Sequence, residues 1–389
     1  MSFNITAFTD LCSRFNTWSE LSSHLSSNDG GGLRIVNVPN SEYAIVRYVK
    51  GKSDMSMEHV RLSRSVVWNT QTNRPVCVAP VKAERGEPPV GSNVEISEFV
   101  DGVMVNLFRN TAGQITLATR TNLGASNTFY TSKSFAEMLS EAAGGDLEAT
   151  FGTLVQPGGF VNLVLQHPDH KTVGHIKAPR YVITSTGTVS EDGSVHFDTS
   201  SCSAHKYPTG KSVRELMNYG MRRGPMWQGL VFQDKTSQKR WRVRNPDFVR
   251  VRTLRGAESD SFERFLRLRS TGKTKEYLNF FRGESNELWA YEQLWRQRTQ
   301  DLYNAYVDMN KLKKKTMKDL DFPLRTHVYT LHGRYLASLP PQGVENKFPV
   351  PVTMETVIDY VNSLSLEEQM KIVNNAHKKE AWRKANNLV

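Results

Sequence analysis

Cysteine is scarce in this sequence, and long apolar runs are missing. Its 389 residues include only Cys12, Cys77 and Cys202, which are too few and too scattered for a disulfide framework and favour a reducing compartment. No apolar run approaches the roughly 20 residues that span a bilayer. The first residues also lack a basic segment followed by an apolar one, so secretion and membrane insertion are not expected. These absences predict an intracellular protein of the cytoplasm or nucleus.

Several structural classes are excluded by composition. Hydrophobic residues make up 38% of the chain and charged residues 23%, which argues against disordered, collagen-like and coiled-coil classes. No internal repeat or low-complexity tract is present. The length allows two or three domains of about 150 residues each. The sequence therefore predicts an ordinary globular fold.

The charge is strongly positive. Fifty lysines and arginines stand against 39 aspartates and glutamates, a net charge of +11, and such an excess favours a polyanionic partner such as nucleic acid. Thirteen of these basic residues and only five acidic ones lie between Lys239 and Arg282. Trp241, Tyr277, Phe280 and Phe281 are interleaved with them, which is typical of phosphate contacts beside stacking surfaces. The alternative is a solvated basic surface.

The periodicity of apolar residues changes along the chain. Phe8, Leu11 and Phe15 share one helical face, so we expect a helical lead-in over residues 1–32. From residue 33 to about 255 short apolar runs are separated by turns, as in β-strands. The runs lie at 33–38, 43–49, 65–68, 75–81, 103–108 and 115–119. Helices are expected from Ser134 to about residue 143 and from Ser212, where Glu215 completes a capping box.

After Gly256 the pattern is helical to the end of the chain. Leu288, Trp295 and Leu302 fall on one side of a long helix, and Ser365 with Glu368 forms another capping box. The sequence thus predicts an α+β core over residues 33–255, followed by an all-helical C-terminal domain over residues 256–389.

Residues 94–124 form the most informative segment. They predict a strand, a tight turn at Asp101-Gly102, a second strand, a glycine-containing turn, a third strand and a basic exit at Arg120. As a bare pattern this is a β-meander. It resembles the nucleotide-binding core of the covalent nucleotidyltransferases, which include ATP-dependent RNA and DNA ligases and capping enzymes. These enzymes carry Lys-x-Asp-Gly at the strand junction, whereas here Phe99 occupies the position of the nucleophilic lysine.

Four further blocks occur in the same order as in bacteriophage-type RNA ligases and their relatives in large DNA viruses. They lie at 63–86, 160–173, 227–234 and 240–256. The first block resembles the hairpin that precedes the nucleotide-binding core in that family, with Arg64 at the start of the hairpin and Lys82 at its end. Five ordered blocks over most of the chain are more specific than any single motif. The resemblance implies a nucleotidyltransferase core of the ATP-grasp-like ligase type, built of antiparallel sheets with helices, and a viral source.

The remaining blocks differ from the family at charged positions. Asn162 and Gln228 stand where the family has acidic residues, and neutral amides lack the charge that recruits Mg²⁺. Arg242 and Arg244 stand where the family has two lysines, and arginine retains the charge that holds phosphate. They alternate along a predicted strand, so both side chains point to the same side. The resemblance therefore implies a pocket in which ATP can bind but Mg²⁺ is doubtful.

The family reaction requires an amine that attacks the α-phosphate of ATP to form lysyl-AMP. Phenylalanine has no lone pair for this step, so we expect an RNA-ligase-like protein that binds RNA ends or a nucleotide without adenylylation. The candidate nucleotide- and phosphate-binding residues are Arg64, Lys82, Phe99, Asp101, Gly102, Arg120, Asn162, Gln228, Arg242 and Arg244. Two alternatives stay open: an active ligase for RNA repair that uses Lys82 as its nucleophile, and a structural or virion-associated protein that retains only the fold.

A zinc site is a competing interpretation of another segment. His167 and His170, together with Cys202 and His205, form two closely spaced pairs about thirty residues apart, a spacing that zinc sites use. The alternative is a polar turn after a strand. Because no second signature accompanies these residues, we assign no metal site.

Overall fold

The computed structural model describes residues 2–89, 91, 93–170, 172–237, 239–340, 348–373 and 375–385. The chain divides into two compact units, Met1–Arg252 and Thr253–Val389. In the described residues, the first unit contains every strand and the second contains helices. The α+β class expected from the periodicity is confirmed.

Three sheets form the first unit. Their strands are β1 Ser2–Ile5, β2 Arg34–Asn37, β3 Tyr43–Arg47, β4 Val66–Asn69, β5 Arg74–Val78, β6 Glu84–Arg85, β7 Val94–Glu98, β8 Val103–Arg109, β9 Ile115–Ala118, β10 Gly159–Gln166, β11 Arg180–Val189, β12 Val195–Asp198, β13 Lys206–Tyr207, β14 Gly229–Asp234 and β15 Arg240–Arg244. Sheet A has the order β1-β12-β11-β10-β8-β9, sheet B the order β2-β3-β4-β5 and sheet C the order β13-β7-β14-β15-β6. All pairs are antiparallel except β15 with β6. Each of the six apolar runs named above overlaps a strand.

The strand junction at Asp101-Gly102 is not the hairpin turn that the sequence predicts. Strand β7 pairs with β13 and β14 in sheet C, whereas β8 pairs with β9 and β10 in sheet A. The chain therefore passes from one sheet to the other at this point. Only the second half of the expected meander, β8 with β9, forms a hairpin. The prediction was wrong because sheet membership depends on partners that are distant in sequence.

The N-terminal segment begins with a strand rather than a helix. Strand β1 pairs with β12, about 190 residues later in the chain, with Ser2 opposite Asp198. Helices α1, Thr9–Arg14, and α2, Trp18–Ser26, then follow, and Thr17 with Glu20 forms a capping box at α2. Phe8 is buried against Trp68. The helical periodicity was correct for α1, but the four residues before it form a strand only because β12 offers a free edge.

Four more helices belong to the first unit. They are α3 Glu58–Leu62, α4 Phe135–Ala142, α5 Leu147–Phe151 and α6 Val213–Met221. Ser134 and Ser212 each accept a hydrogen bond from the backbone N–H three residues later, and the glutamates at those positions bond back. The capping box predicted at Ser212 is confirmed, and the helix predicted from Ser134 also begins with a capping box.

Helices also make up the described part of the second unit. Helix α7, Pro246–Arg255, contains the division, and it is followed by α8 Ser261–Ser270, α9 Thr274–Phe280, α10 Ser285–Tyr306, α11 Phe322–Ala337, α12 Met354–Ser363, α13 Leu366–Ile372 and α14 Asn375–Ala385. Leu288, Trp295 and Leu302 of α10 are buried in one hydrophobic core, and Ser365 caps α13 as expected. No described helix has the length and apolarity needed to cross a membrane.

Three aromatic residues of the basic segment 239–282 pack against hydrophobic cores. Tyr277 is fully buried, and Phe281 packs against the same core. Trp241 packs against a separate core in the first unit. Burial of its large apolar area makes Tyr277 inaccessible to a nucleobase. Trp241 and Phe281 are only partly buried, so a stacking role for them stays a prediction.

Candidate functional site

A cavity of about 360 Å³ lies in the first unit. Its walls come from sheets A and C and from residues 79–83, which follow strand β5. Both ends of the Asp101-Gly102 junction contribute to the lining, because this is where the chain passes from sheet C to sheet A. The topology thus makes one cavity from segments that are far apart in sequence.

Strand β15 supplies one wall of the cavity with arginines. Arg240, Arg242 and Arg244 all line it, while Trp241 and Val243 between them pack into the hydrophobic core on the opposite face. This is the alternation expected of a strand with one apolar face. The sequence predicted the shared direction of Arg242 and Arg244, but it missed Arg240, which the same alternation includes.

More cations surround the arginines of β15. Among the described residues, eight lysine and arginine side chains line the cavity: Lys50, Arg64, Lys82, Arg120, Arg240, Arg242, Arg244 and Arg252. Only three carboxylates do so, and each has a partner outside this group. Glu95 pairs with Lys206 at 3.3 Å, Glu98 pairs with Arg223 at 2.6 Å, and Asp101 accepts a hydrogen bond from the Val173 N–H. The cavity is therefore strongly positive.

The crowding of these cations changes their acid–base properties. Burial lowers the pKa of Arg240 to about 10. Burial, followed by repulsion from Arg242 and Arg252, also lowers the pKa of Arg244 to about 10. The pKa of Arg64 falls for the same main reason, burial. With a pKa of about 10, Arg240 and Arg244 remain protonated at neutral pH. An anion in the cavity would therefore reduce the repulsion between these cations.

The guanidinium groups of β15 contain hydrogen-bond donors that the described residues do not pair. The Nε atoms of Arg240, Arg242 and Arg244 are buried and have no hydrogen-bond partner among the residues that the structure describes. Arg240 does donate from Nη1 to the Val81 carbonyl at 3.1 Å. Because a buried unpaired donor costs free energy of roughly 1–3 kcal/mol, these groups suit a ligand with several acceptor oxygens, such as a phosphate.

Phe99 is part of the cavity wall and has a structural role there. Its N–H donates to the Gly229 carbonyl at 2.9 Å, and the guanidinium carbon of Arg244 lies 5.4 Å from the centre of its ring. This cation–π contact holds Arg244 beside the junction. The position at which the resemblance places an attacking lysine therefore carries a group that orients an arginine.

Gly102 fixes the junction beside Phe99. Its φ of +155° is a conformation that residues with a side chain rarely adopt, and an added Cβ would lie 2.3 Å from the Leu165 carbonyl oxygen. Asp101 also ties the junction to strand β10, because its carbonyl accepts a hydrogen bond from Gln166 Nε2 at 2.6 Å. The Asp-Gly pair shapes the crossing between sheets.

The two predicted amide positions differ in their placement. Gln228 lines the cavity, and its buried Oε1 has no hydrogen-bond partner in the described part of the chain. Asn162 is fully buried on β10 and is not among the lining residues. Its Nδ2 donates to the Val78 carbonyl at 3.2 Å. The structure therefore brings every predicted site residue except Asn162 to the surface of this cavity.

Thr184 and Ser185 are among the lining residues that the sequence did not single out. They are consecutive on β11, yet both line the cavity. The pairing of β10 with β11 is irregular next to Asn162, and such a bulge turns neighbouring side chains to one face. The Ser185 hydroxyl is buried and has no partner among the described residues. No sequence signal marks a bulge at this point.

The four residues considered for zinc do not form a cluster. His167 Nε2 lies 2.8 Å from Glu141 Oε2, His205 contacts the edge of the Tyr207 ring, and Cys202 lines the cavity. Within the described residues there is no group of three or more His, Cys, Asp or Glu side chains that could hold a metal ion. The polar-turn interpretation fits His167 better.

The donors of the cavity fit one of the two groups that the resemblance implies. Guanidinium and ammonium groups suit the phosphates of ATP. Magnesium prefers carboxylate oxygens, but the amide of Gln228 stands at one expected position, and Glu95 and Glu98 form ion pairs with other residues. The residues present therefore fit a phosphate-bearing nucleotide and do not fit a carboxylate-held Mg²⁺.

No protein-family model and no curated protein matches this chain. Among solved structures, an archaeal ATP-dependent RNA ligase is similar, with 12% sequence identity, a TM-score of 0.43 and coverage of 73% of this chain and 74% of that chain. A putative ATP-dependent DNA ligase from Aquifex aeolicus has 12% identity, a TM-score of 0.42 and coverage of 71% and 72%. A second form of the archaeal RNA ligase has 13% identity, a TM-score of 0.39 and coverage of 66% and 68%.

Proposed function

We propose that this chain is an RNA-ligase-like protein that binds a nucleotide and RNA ends through their phosphates, without forming lysyl-AMP. The observation that carries this proposal is the row of three arginines on β15, whose Nε atoms are buried in a cavity and lack partners among the described residues. Phosphate oxygens would pair with these donors and would offset the mutual repulsion of the surrounding cations.

The loss of covalent chemistry rests on the residues at the junction. Phe99 cannot attack phosphorus, and it holds the Arg244 guanidinium by a cation–π contact. Gln228 offers a neutral oxygen where a carboxylate would attract a divalent cation. A nucleotide in this cavity would thus be held electrostatically, with no amine supplied from the position of Phe99.

A second candidate function is an active RNA ligase that uses Lys82. This side chain lines the cavity, and partial burial, followed by repulsion from Arg242, lowers the pKa of its amine. A lower pKa raises the fraction of neutral amine, which is the nucleophilic form. The two candidates differ in a single observable, a covalent bond to AMP.

Labelling with nucleotide distinguishes the candidates. The protein is incubated with ATP labelled at the α-phosphate and with Mg²⁺, and it is then denatured. We expect no label on the chain. Acid-labile label that disappears in Lys82→Ala would contradict the proposal and would establish the active ligase.

Thermal unfolding with ATP tests binding itself. At a ligand concentration of 100 times Kd the stabilisation is about 2.7 kcal/mol, and we expect most of it to be lost in the double variant Arg242→Met, Arg244→Met. The matched control is Lys211→Met, Arg214→Met, with Lys211 in the turn before α6 and Arg214 in the first turn of that helix. Helix α6 packs on the face of sheet C opposite the cavity. If ATP and RNA both leave the melting temperature unchanged, a structural protein that retains only the fold is the better interpretation.

A further inference from the structure

Two arginines lie directly opposite each other on sheet B. Strands β2 and β3 are antiparallel, and Arg34 pairs with Arg47 in their register. Like charges at such positions destabilise a sheet. Arg34 is exposed, the Nε atom of Arg47 is buried without a hydrogen-bond partner, and neither residue forms an ion pair within the described ranges. This arrangement destabilises the sheet, and no ion pair of the described residues offsets the repulsion.

The pair is continuous with the cavity. Arg120 donates from Nη2 to the Tyr48 carbonyl at 3.1 Å, and its guanidinium carbon lies 5.0 Å from the centre of the Tyr48 ring. Tyr48 follows Arg47 in the chain, and Tyr48 and Arg120 both line the cavity. Arg120 therefore lies between the cavity and the pair on sheet B.

Electrostatic interactions connect the same residues in a row. Burial lowers the pKa of Arg47, and repulsion from Arg120 and then from Arg34 lowers it further. Burial also lowers the pKa of Arg64, with additional repulsion from Arg120 and Arg242. The five side chains thus form what we term the arginine track, which runs through Arg242, Arg64, Arg120, Arg47 and Arg34.

Other arginines of the first unit form ion pairs with carboxylates. Arg109 binds Glu148 at 2.6 Å, and Arg223 binds Glu98 at 2.6 Å. No member of the arginine track has such a carboxylate partner among the described residues. A row of cations that repel one another and lack counterions is expected where a polyanion supplies the counterions.

We propose that the arginine track binds the phosphate backbone of a single-stranded polynucleotide, which runs from the cavity across β3 to the outer strand β2. The proposal rests on the function proposed above, since the strand would begin at the phosphate held by the β15 arginines. Nucleic acid is favoured over an acidic protein segment because the track is continuous with a cavity whose planar donors match phosphate.

The test separates the track from the cavity. The double variant Arg34→Ala, Arg47→Ala removes the two track residues that do not line the cavity. Binding of a fluorescent oligouridylate of about 12 nucleotides is measured by anisotropy over a series of salt concentrations. We expect affinity to fall about tenfold at low salt and the log–log salt slope to fall by about 1.4, or about 0.7 for each phosphate that is no longer neutralised. The ATP-induced rise in melting temperature should not change.

Controls accompany this measurement. The variant Lys211→Ala, Arg214→Ala removes the same charge at the start of α6, and it should bind the oligouridylate like the wild type. The unliganded track variant should melt at or above the wild-type temperature, because removal of the pair relieves repulsion. The melting curve also shows whether the double variant has unfolded. If it has, the single variant Arg34→Ala, at the exposed position, replaces it in the binding measurement.

The possible failures are distinct. Wild-type RNA affinity in the track variant, with the ATP response intact, would overturn the track and leave the proposed function standing. If the wild type binds the oligouridylate without responding to ATP, the proposed function fails, and weaker RNA binding by the track variant still supports the track. A competition experiment tests the choice of nucleic acid over an acidic protein. If polyglutamate displaces the oligouridylate at an equal concentration of charge, the assignment to nucleic acid is overturned.

Discussion

Arginines keep their positive charge in this cavity. Burial among like charges lowers the pKa of Arg240 and of Arg244 to about 10, which leaves both protonated at neutral pH. A lysine starts from an ordinary pKa of about 10.4, lower than that of arginine, so the same burial and repulsion would leave it with a larger neutral fraction. The arginines at 242 and 244, where the resembled family has lysines, thus suit the anion binding that we propose better than proton transfer.

The reactivity of Lys82 provides a test of the repulsion between the cations of the cavity. Partial burial, followed by repulsion from Arg242, lowers the pKa of its amine, whereas hydrogen bonds to Glu141 and Asp169 raise the pKa of Lys133 to about 12. Since only the neutral amine is acetylated, the rate at Lys82 should begin to rise at lower pH than the rate at Lys133. Competitive acetylation followed by mass spectrometry measures both rates in one sample.

The contribution of Arg242 can be isolated in the same experiment. Arg242→Met removes the strongest repulsion on Lys82, so its pKa should rise and its acetylation should slow several-fold at a fixed pH below the pKa. Lys133 serves as the internal reference. Equal pH profiles for the two lysines would show that the cations of the cavity do not act on Lys82.

At the scale of elements, the crossing between sheets A and C depends on one glycine. Gly102 has a φ of +155°, and an added Cβ would lie 2.3 Å from a backbone oxygen of β10. We expect Gly102→Ala to lower the free energy of unfolding by more than about 3 kcal/mol, because either the backbone of the junction or strand β10 has to shift. Urea denaturation followed by circular dichroism measures the loss.

Gly113 offers a matched control for this prediction. It also has a positive φ, +76°, but an added Cβ would meet nothing within 4 Å. Gly113→Ala should therefore cost only the backbone strain of about 1–2 kcal/mol. If the two variants lose the same stability, the close approach of Gly102 to β10 has no energetic effect and the argument for the crossing fails.

At the scale of the whole molecule, the two units have separate hydrophobic cores. The core of the second unit is built from residues 254–381 and includes Phe262, Tyr277 and Trp295. A unit with its own core is able to fold alone. We expect the fragment 253–389 to be helical by circular dichroism and to unfold in one cooperative thermal transition. A helical signal that declines gradually with temperature, without a transition, would contradict this.

Local rules determined much of the secondary structure. The capping boxes at Ser134, Ser212 and Ser365 begin helices where the sequence predicted them, because a capping box forms within four consecutive residues. The alternation of arginines with Trp241 and Val243 likewise set the face of β15. These features depend on neighbours in the chain and could be predicted from the sequence.

The sequence by itself thus established the cations, their alternation on β15 and the sheet-rich segment followed by helices. Tertiary structure alone decided that β7 and β8 belong to different sheets, that Asn162 lies behind the cavity wall, and that Arg34 faces Arg47. The physical reason is that strand pairing joins residues that are far apart in the chain, and no local preference specifies which edge a strand will find.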